Sequence, residues 1–217
     1  MDQKIREKLE SFFSMHKLLK YRKKELLIRA DDPPLGIFYL QEGLVRQYTI
    51  SKNGEELTLN IYKPPSLFPL AYAINDTLPA HHYEAIIPSI LFRAPKEDVL
   101  KFIKKEPDIL LDLISRIYRG LEGVFKRIEN LMAGSAQARL ITELVICAKR
   151  FGSKQSGGLL IDLNLTHETL AKQSGISRET VGRLLKGLKE KSLIGYSNRK
   201  ILIKNLKELE KVLQSLG

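Results

Sequence analysis

The stretch Ser174–Lys191 reads SGISRETVGRLLKGLKEK. On a helix, Arg178, Glu179 and Arg183 project from the face opposite its apolar residues. A guanidinium can donate two hydrogen bonds to guanine O6 and N7, and a carboxylate can accept from cytosine N4. Glu179 weakens the attraction of a basic surface for a polyanion, so its place there suits a base reader or an orienter of Arg183. The plainer alternative is a solvated i,i+4 pair between Glu179 and Arg183, worth about 0.2–0.5 kcal/mol. Further on, YSNRKIL puts Arg199 and Lys200 at a hairpin tip, where they can grip phosphate without reading sequence.

A second chemical cluster lies in PSLFPLAYAINDTLPAHHYEA, with Leu67, Phe68, Leu70, Tyr72, His81, His82 and Tyr83. In a strand, His81, Tyr83 and Ala85 share one face, and His82, Glu84 and Ile86 the other. Two adjacent histidines therefore do not reach one metal ion together, which argues against an enzyme holding a metal with HHYE. One imidazole points into the domain, to bind a small ligand or simply to pack. Tyr118, on a later helix, is a candidate to close such a pocket.

These groups need elements to hold them. Thr166 is placed to cap a short helix, and Gly175 permits a sharp turn. Ile176 plugs the junction and Ser177 caps a second helix, with Thr180 in its first turn. Leu170, Ala171, Val181 and Leu184 face inward. This is a helix-turn-helix pattern, in which Ser174 stands where an apolar residue is usual. SLIGYSNRKILIKN then reads as a β-hairpin wing with Asn198 near its tip, and a final helix covers about 205–216. AQARLITELVICAKRFG is an amphipathic helix, and SGGLLIDLNL a loop and a strand.

Upstream, residues 2–14 read as a helix. From about Leu18 to Ala94 short β-type runs are punctuated by Asp32-Pro33-Pro34, Lys52-Asn53-Gly54 and Pro64-Pro65, which implies a small antiparallel roll. A long helix spans about 107–132. Its apolar residues Leu110, Leu113, Ile117, Leu121, Val124, Ile128 and Leu131 approach a heptad seam and imply a homodimer, packing on its own β-domain being the alternative. Gly134-Ser135 ends the helix as a hinge.

Composition narrows the classes. The net charge is +11, of which residues 136–217 carry +8, so the basic third of the chain expects a polyanion. No apolar run is long enough to span a membrane and no signal-peptide core opens the chain; a cytoplasmic protein without membrane contact is expected. One cysteine, Cys147, supplies neither a disulfide nor an iron–sulfur cluster.

LTHETLAKQSGISRETVGRLLKGLKEKSLI resembles the winged helix of the cyclic-AMP receptor protein and FNR (Crp/Fnr) family of transcriptional regulators. The order of parts before it matches too. The resemblance implies an α+β fold: an N-terminal antiparallel β-roll of the cyclic-nucleotide-binding, jelly-roll type over 1–106, a dimerisation helix and hinge over 107–134, and a winged helix-turn-helix over 135–217. It implies a non-enzymatic, homodimeric DNA-binding regulator or activator with double-stranded DNA as partner and RNA polymerase as a further one. It assigns Arg178, Glu179 and Arg183 to an inverted repeat of TGTGA-like half-sites, with Thr166, Ser177, Thr180, Arg199 and Lys200 around them. Family members that bind cyclic nucleotide use a Gly-Glu and an Arg-Ser pair, and this chain has neither; residues 66–92 contain no Lys, Arg or Gly. A phosphodiester needs such donors. The effector is thus expected to be something other than a cyclic nucleotide, with haem on His81 or His82, or a roll without ligand, as alternatives. β-Rolls also resemble cupins, which is the origin of the enzyme alternative.

Overall fold

The computed structural model describes residues 2–216; Met1 and Gly217, the ends of the expected domains, lie outside them. The chain divides into two compact units, Met1–Arg116 and Ile117–Gly217, so the division falls inside the long helix.

The first unit opens with α1 (Gln3–Ser14), capped by the Asp2 carboxylate, which accepts from Lys4 N–H. Eight strands follow: β1 (Lys17–Tyr21), β2 (Leu26–Ile28), β3 (Ile37–Glu42), β4 (Val45–Ile50), β5 (Glu56–Tyr62), β6 (Ser66–Phe68), β7 (His82–Ala85) and β8 (Ser89–Ala94). They form two antiparallel sheets, ordered β1-β8-β3-β6 and β2-β7-β4-β5. The long apolar runs of the sequence are thus cut into hairpins. Gly43, at φ +97°, turns β3 into β4, and a Cβ there would collide with Ser89. Gly54, at φ +78°, closes the β4–β5 hairpin that Lys52-Asn53-Gly54 implied.

β3 is buried on both faces, which explains its unbroken apolar run IFYL. Phe38 and Leu40 join Ile28, Val45, Phe68, Tyr83 and Leu91 inside the roll. Ile37 and Tyr39 face a second core, with Leu9 and Phe13 of α1, Val99 and Ile103 of α3 (Lys96–Lys105), and Ile109 and Leu113 of α4 (Pro107–Ala133). Burial there pushes the Tyr39 phenol up to about 12.

The structure corrects the heptad reading of α4 at one position. Leu113 packs into this second core, whereas Ile114 is exposed. Among the exposed apolar residues of α4, Leu110, Ile114, Ile117, Leu121, Val124, Ile128 and Leu131 fall in a strict 4-3 alternation, with Leu111, Tyr118, Phe125 and Met132 exposed beside them.

In the second unit α5 (Ala136–Phe151) is capped by Ser135 and buried on most of its surface. The segment expected as a loop and a strand holds a turn at Gly157, with φ +95°, and the strand β10 (Gly158–Ile161), which pairs with a strand just before it that the sequence reading did not place, β9 (Gly152–Gln155). After α6 (His167–Ser174) and α7 (Arg178–Glu190), β11 (Ile194–Ser197) and β12 (Lys200–Ile203) complete a sheet ordered β11-β12-β10-β9, and α8 (Leu206–Gln214) packs on α5. Arg127 of α4 makes a bidentate ion pair with Glu143 of α5, at 2.5 and 2.7 Å, and Glu143 is only 2% exposed.

Two outcomes follow from this packing. Arg127→Ala strands a buried carboxylate and should cost about 3–5 kcal/mol in urea unfolding, while Arg127→Met with Glu143→Met should cost far less. Burial pushes the Cys147 thiol up to about 12, so a thiol reagent at mildly alkaline pH should label it only after denaturation.

Candidate nucleic-acid interface

Local chemistry shapes the helix pair before any partner is considered. The Thr166 hydroxyl caps α6, accepting from Thr169 N–H at 3.0 Å. α6 ends where Gly175 turns left-handed at φ +62° and ψ +41°, its N–H donating to Ala171 O. Arg139 of α5 donates to the Gly175 carbonyl at 3.1 Å and so fixes the turn. Ser177 caps α7, accepting from Thr180 N–H at 3.1 Å and donating to the Thr180 hydroxyl at 3.0 Å. Ser174, the residue out of pattern, is buried and donates its hydroxyl to Leu170 O at 2.5 Å, which removes the cost of a polar group there.

α7 buries Val181, Leu185 and Leu188. Leu184, expected to be a main packing residue, is half-buried, because 181, 185 and 188 define the inward stripe. Arg178, Glu179 and Arg183 are exposed together on the outward side, as the sequence implied. No ion pair joins Glu179 to Arg183 among the described residues. Instead its own backbone N–H and the nearby Ser177 side chain hold the Glu179 carboxyl below the usual carboxylate range.

The wing tip is Asn198-Arg199, both left-handed at φ +49° and +62°, as a two-residue hairpin of the primed type requires. Arg199 is exposed. Lys200 begins β12 and its ammonium lies 3.2 Å from Asp162, so it is less free than a tip residue. Sequence reasoning overlooked Asp162, whose carboxyl is lowered by Ser153 and Lys200. It also overlooked His167, which adjoins α7 at Gly182.

The candidate effector residues do not line one pocket. Leu67 and Phe68 alternate across β6: Leu67 faces the helices and Phe68 the roll interior. Leu70 and Tyr72 lie on an unforeseen helix, α2 (Leu70–Asn75), on the helical side. Tyr83 stacks between Phe68 and Tyr62, at 5.2 and 5.9 Å between ring centroids. His81 Nδ1 lies 3.1 Å from the Gln47 amide nitrogen, and His82 Nδ1 accepts from Ala30 N–H at 3.1 Å. Tyr118 is exposed on the part of α4 that belongs to the second unit. Among the described residues no three His, Cys, Asp or Glu side chains gather to hold a metal ion, and no helix is long and apolar enough to cross a membrane.

Residues 138–212 match the Crp-like helix-turn-helix domain and residues 18–106 the cyclic nucleotide-binding domain. The global nitrogen regulator of Synechocystis sp. is 30% identical over 80% of this chain and 78% of its own length. The chain belongs to the Crp/Fnr family of transcriptional regulators. This Crp/Fnr chain is also 27% identical to the cAMP-activated global transcriptional regulator CRP of Pasteurella multocida, over 90% of this chain and 93% of that protein. Among solved structures it shares its fold with a CooA mutant from Carboxydothermus hydrogenoformans, with a TM-score of 0.76 at 22% identity, covering 94% and 90% of the two chains. A CRP/FNR-family regulator from Thermus thermophilus gives a TM-score of 0.70 at 24% identity, over 93% and 100%. The helix pair is therefore the DNA-binding helix-turn-helix of a transcriptional regulator.

Removing the Ser177 hydroxyl takes away a helix cap and one of the groups that hold the Glu179 carboxyl low. Ser177→Ala should destabilise the second unit by about 1 kcal/mol and move the Glu179 carboxyl upward in an NMR titration. An unmoved Glu179 would show that its own N–H suffices.

Proposed function

We propose that the protein is a homodimeric regulator that reads an inverted repeat of TGTGA-like half-sites about one helical turn apart. The observation that carries this reading is the outward group Arg178, Glu179 and Arg183, held on a capped helix whose opposite side is buried. α7 enters the major groove N-terminus first. Arg178 and Arg183 donate to guanine, and Glu179, ionised at the helix start, accepts from cytosine N4. Thr166, Ser177, Thr180, Arg199 and Lys200 supply backbone contacts, with Lys200 contributing less because of Asp162.

The exposed 4-3 seam of α4 supports the second copy as its cover. Seven apolar residues at strict heptad spacing on one helix are what a two-stranded coiled coil buries. Activation from such a site would bring RNA polymerase as a further partner.

The relatives' cyclic-nucleotide-type domain raises the question of whether this roll suits that ligand, and its residues do not fit. Besides lacking Lys, Arg and Gly over 66–92, the chain starts α2 after Pro69, which has no N–H to offer a phosphate. Arg46 is committed to Glu84 at 3.1 Å and Glu56 at 2.5 Å. Haem is not favoured either: His82 Nδ1 accepts from Ala30 N–H and its ring stacks on Tyr48, His81 Nδ1 lies 3.1 Å from the Gln47 amide nitrogen, and the rings of Phe38, Phe68, Tyr62 and Tyr83 pack together inside the roll. The effector is another kind of molecule. The same aromatic filling favours a second reading, a roll that needs no ligand at all.

Selection from random duplex DNA should enrich a TGTGA-type palindrome; an unrelated or unpaired motif would refute the half-site assignment. Arg178→Ala should cost about 1–3 kcal/mol and relax the preference at one guanine. Leu121→Asp with Ile128→Asp should give a monomer in sedimentation and a large loss of palindrome affinity. Protein purified without ligand that already binds the palindrome at full affinity would establish the second reading.

A further inference from the structure

We propose that His167 is a proton-dependent contact to the DNA backbone, so that DNA affinity rises as pH falls. The proposal rests on the α6–α7 face being the DNA-binding face. His167 is the first residue of α6 and is exposed. Its imidazole lies against Gly182: a Cβ built there would stand 3.5 Å from Nδ1 and 3.6 Å from Cε1. Gly182 sits in the interior of the 13-residue α7. By helical spacing it shares a side with Arg178, Glu179 and Lys186, and Arg183 follows it directly. The imidazole thus sits beside α7 at Gly182, at ordinary van der Waals distance.

His167 belongs to the first helix of the pair, which crosses the phosphate backbone rather than entering the groove. A phosphate is therefore the group it meets. Imidazole is the side chain whose ordinary charge change falls between pH 5 and 8, and an anion beside it favours the protonated form. The charged groups around it are Glu168, which pairs with Lys172 at 3.3 Å, and Arg178, Glu179, Arg183 and Lys186 of α7. α5, the other helix packed on α6, brings Arg139, held at the Gly175 carbonyl at the far end of α6, and Glu143, occupied by Arg127. Within this set His167 is the one imidazole. Each subunit then takes up a fraction of a proton on binding. Affinity increases as pH falls through the imidazole range, and one more phosphate per subunit is neutralised at the acidic end.

The test is DNA binding by the full chain, measured by fluorescence anisotropy across a salt series between about pH 6 and pH 8. Two probes are used, the palindrome enriched by selection and a random-sequence duplex. The wild type should bind both about 3- to 10-fold more tightly per subunit at the acidic end, with a salt slope steeper by about 0.9 per subunit. His167→Gln should be nearly flat with pH and equal to the wild type at the alkaline end. His167→Lys should be flat and tight throughout. A wild type without pH dependence, or a His167→Gln variant that keeps it, overturns the assignment, since His16, His81 and His82 remain in that variant. Dependence on pH with the palindrome alone overturns the phosphate contact in favour of a base contact. Failure to bind either duplex at any pH and salt overturns the DNA-binding face itself, an outcome distinct from binding without pH dependence.

Discussion

The function depends on the burial of one narrow stripe, Val181, Leu185 and Leu188. These three residues pack α7 against α5 and α6. Each fully buried aliphatic side chain contributes about 1.5–3 kcal/mol relative to exposure, whereas an exposed ion pair contributes about 0–1. The stripe therefore sets the rotation of the helix, and the charged residues take what remains. Arg178, Glu179 and Arg183 are outside because no other rotation buries the apolar set. The caps at Thr166 and Ser177 and the left-handed Gly175 fix where each helix starts and stops, and Arg139 locks the turn between them.

The roll obeys a different constraint. One of its sheets is covered on both faces, by helices on one side and by the opposing sheet on the other. Alternate residues of a strand must then serve two separate cores. Leu67 and Phe68, neighbours in sequence, consequently belong to different environments. The interior between the sheets is occupied by aromatic rings, and Tyr83, deep among them, has its phenol pushed upward by burial. The interior of the roll is given to packing, while the helix-turn-helix carries its charge at the surface.

α4 combines both demands. Its first turns contribute Ile109 and Leu113 to the core of the roll, and its remaining apolar residues are left exposed. An apolar stripe of this length on a single helix is costly in water and is relieved by a matching helix. In the second unit, the Arg127–Glu143 pair ties α4 to α5 about two turns to either side of Gly134 and the Ser135 cap.

The sequence by itself determined the order of the main elements, α2 and β9 apart, the helix-turn-helix with its caps, the wing and the outward position of Arg178, Glu179 and Arg183. These are local properties: helical period, capping hydroxyls, and glycine or asparagine at positive φ. It also shows that residues 66–92 contain no Lys, Arg or Gly. Only the tertiary structure decided that Leu113 yields its seam position to Ile114, since a helix between two apolar partners cannot reveal in sequence which partner takes which residue. Only it decided that the candidate pocket residues are dispersed over two cores, because strand alternation becomes meaningful once both sides of a sheet are known to be covered. Asp162 beside Lys200 and His167 beside Gly182 also had to await the fold: each pair joins separate elements, and long-range contact leaves no period or spacing to read.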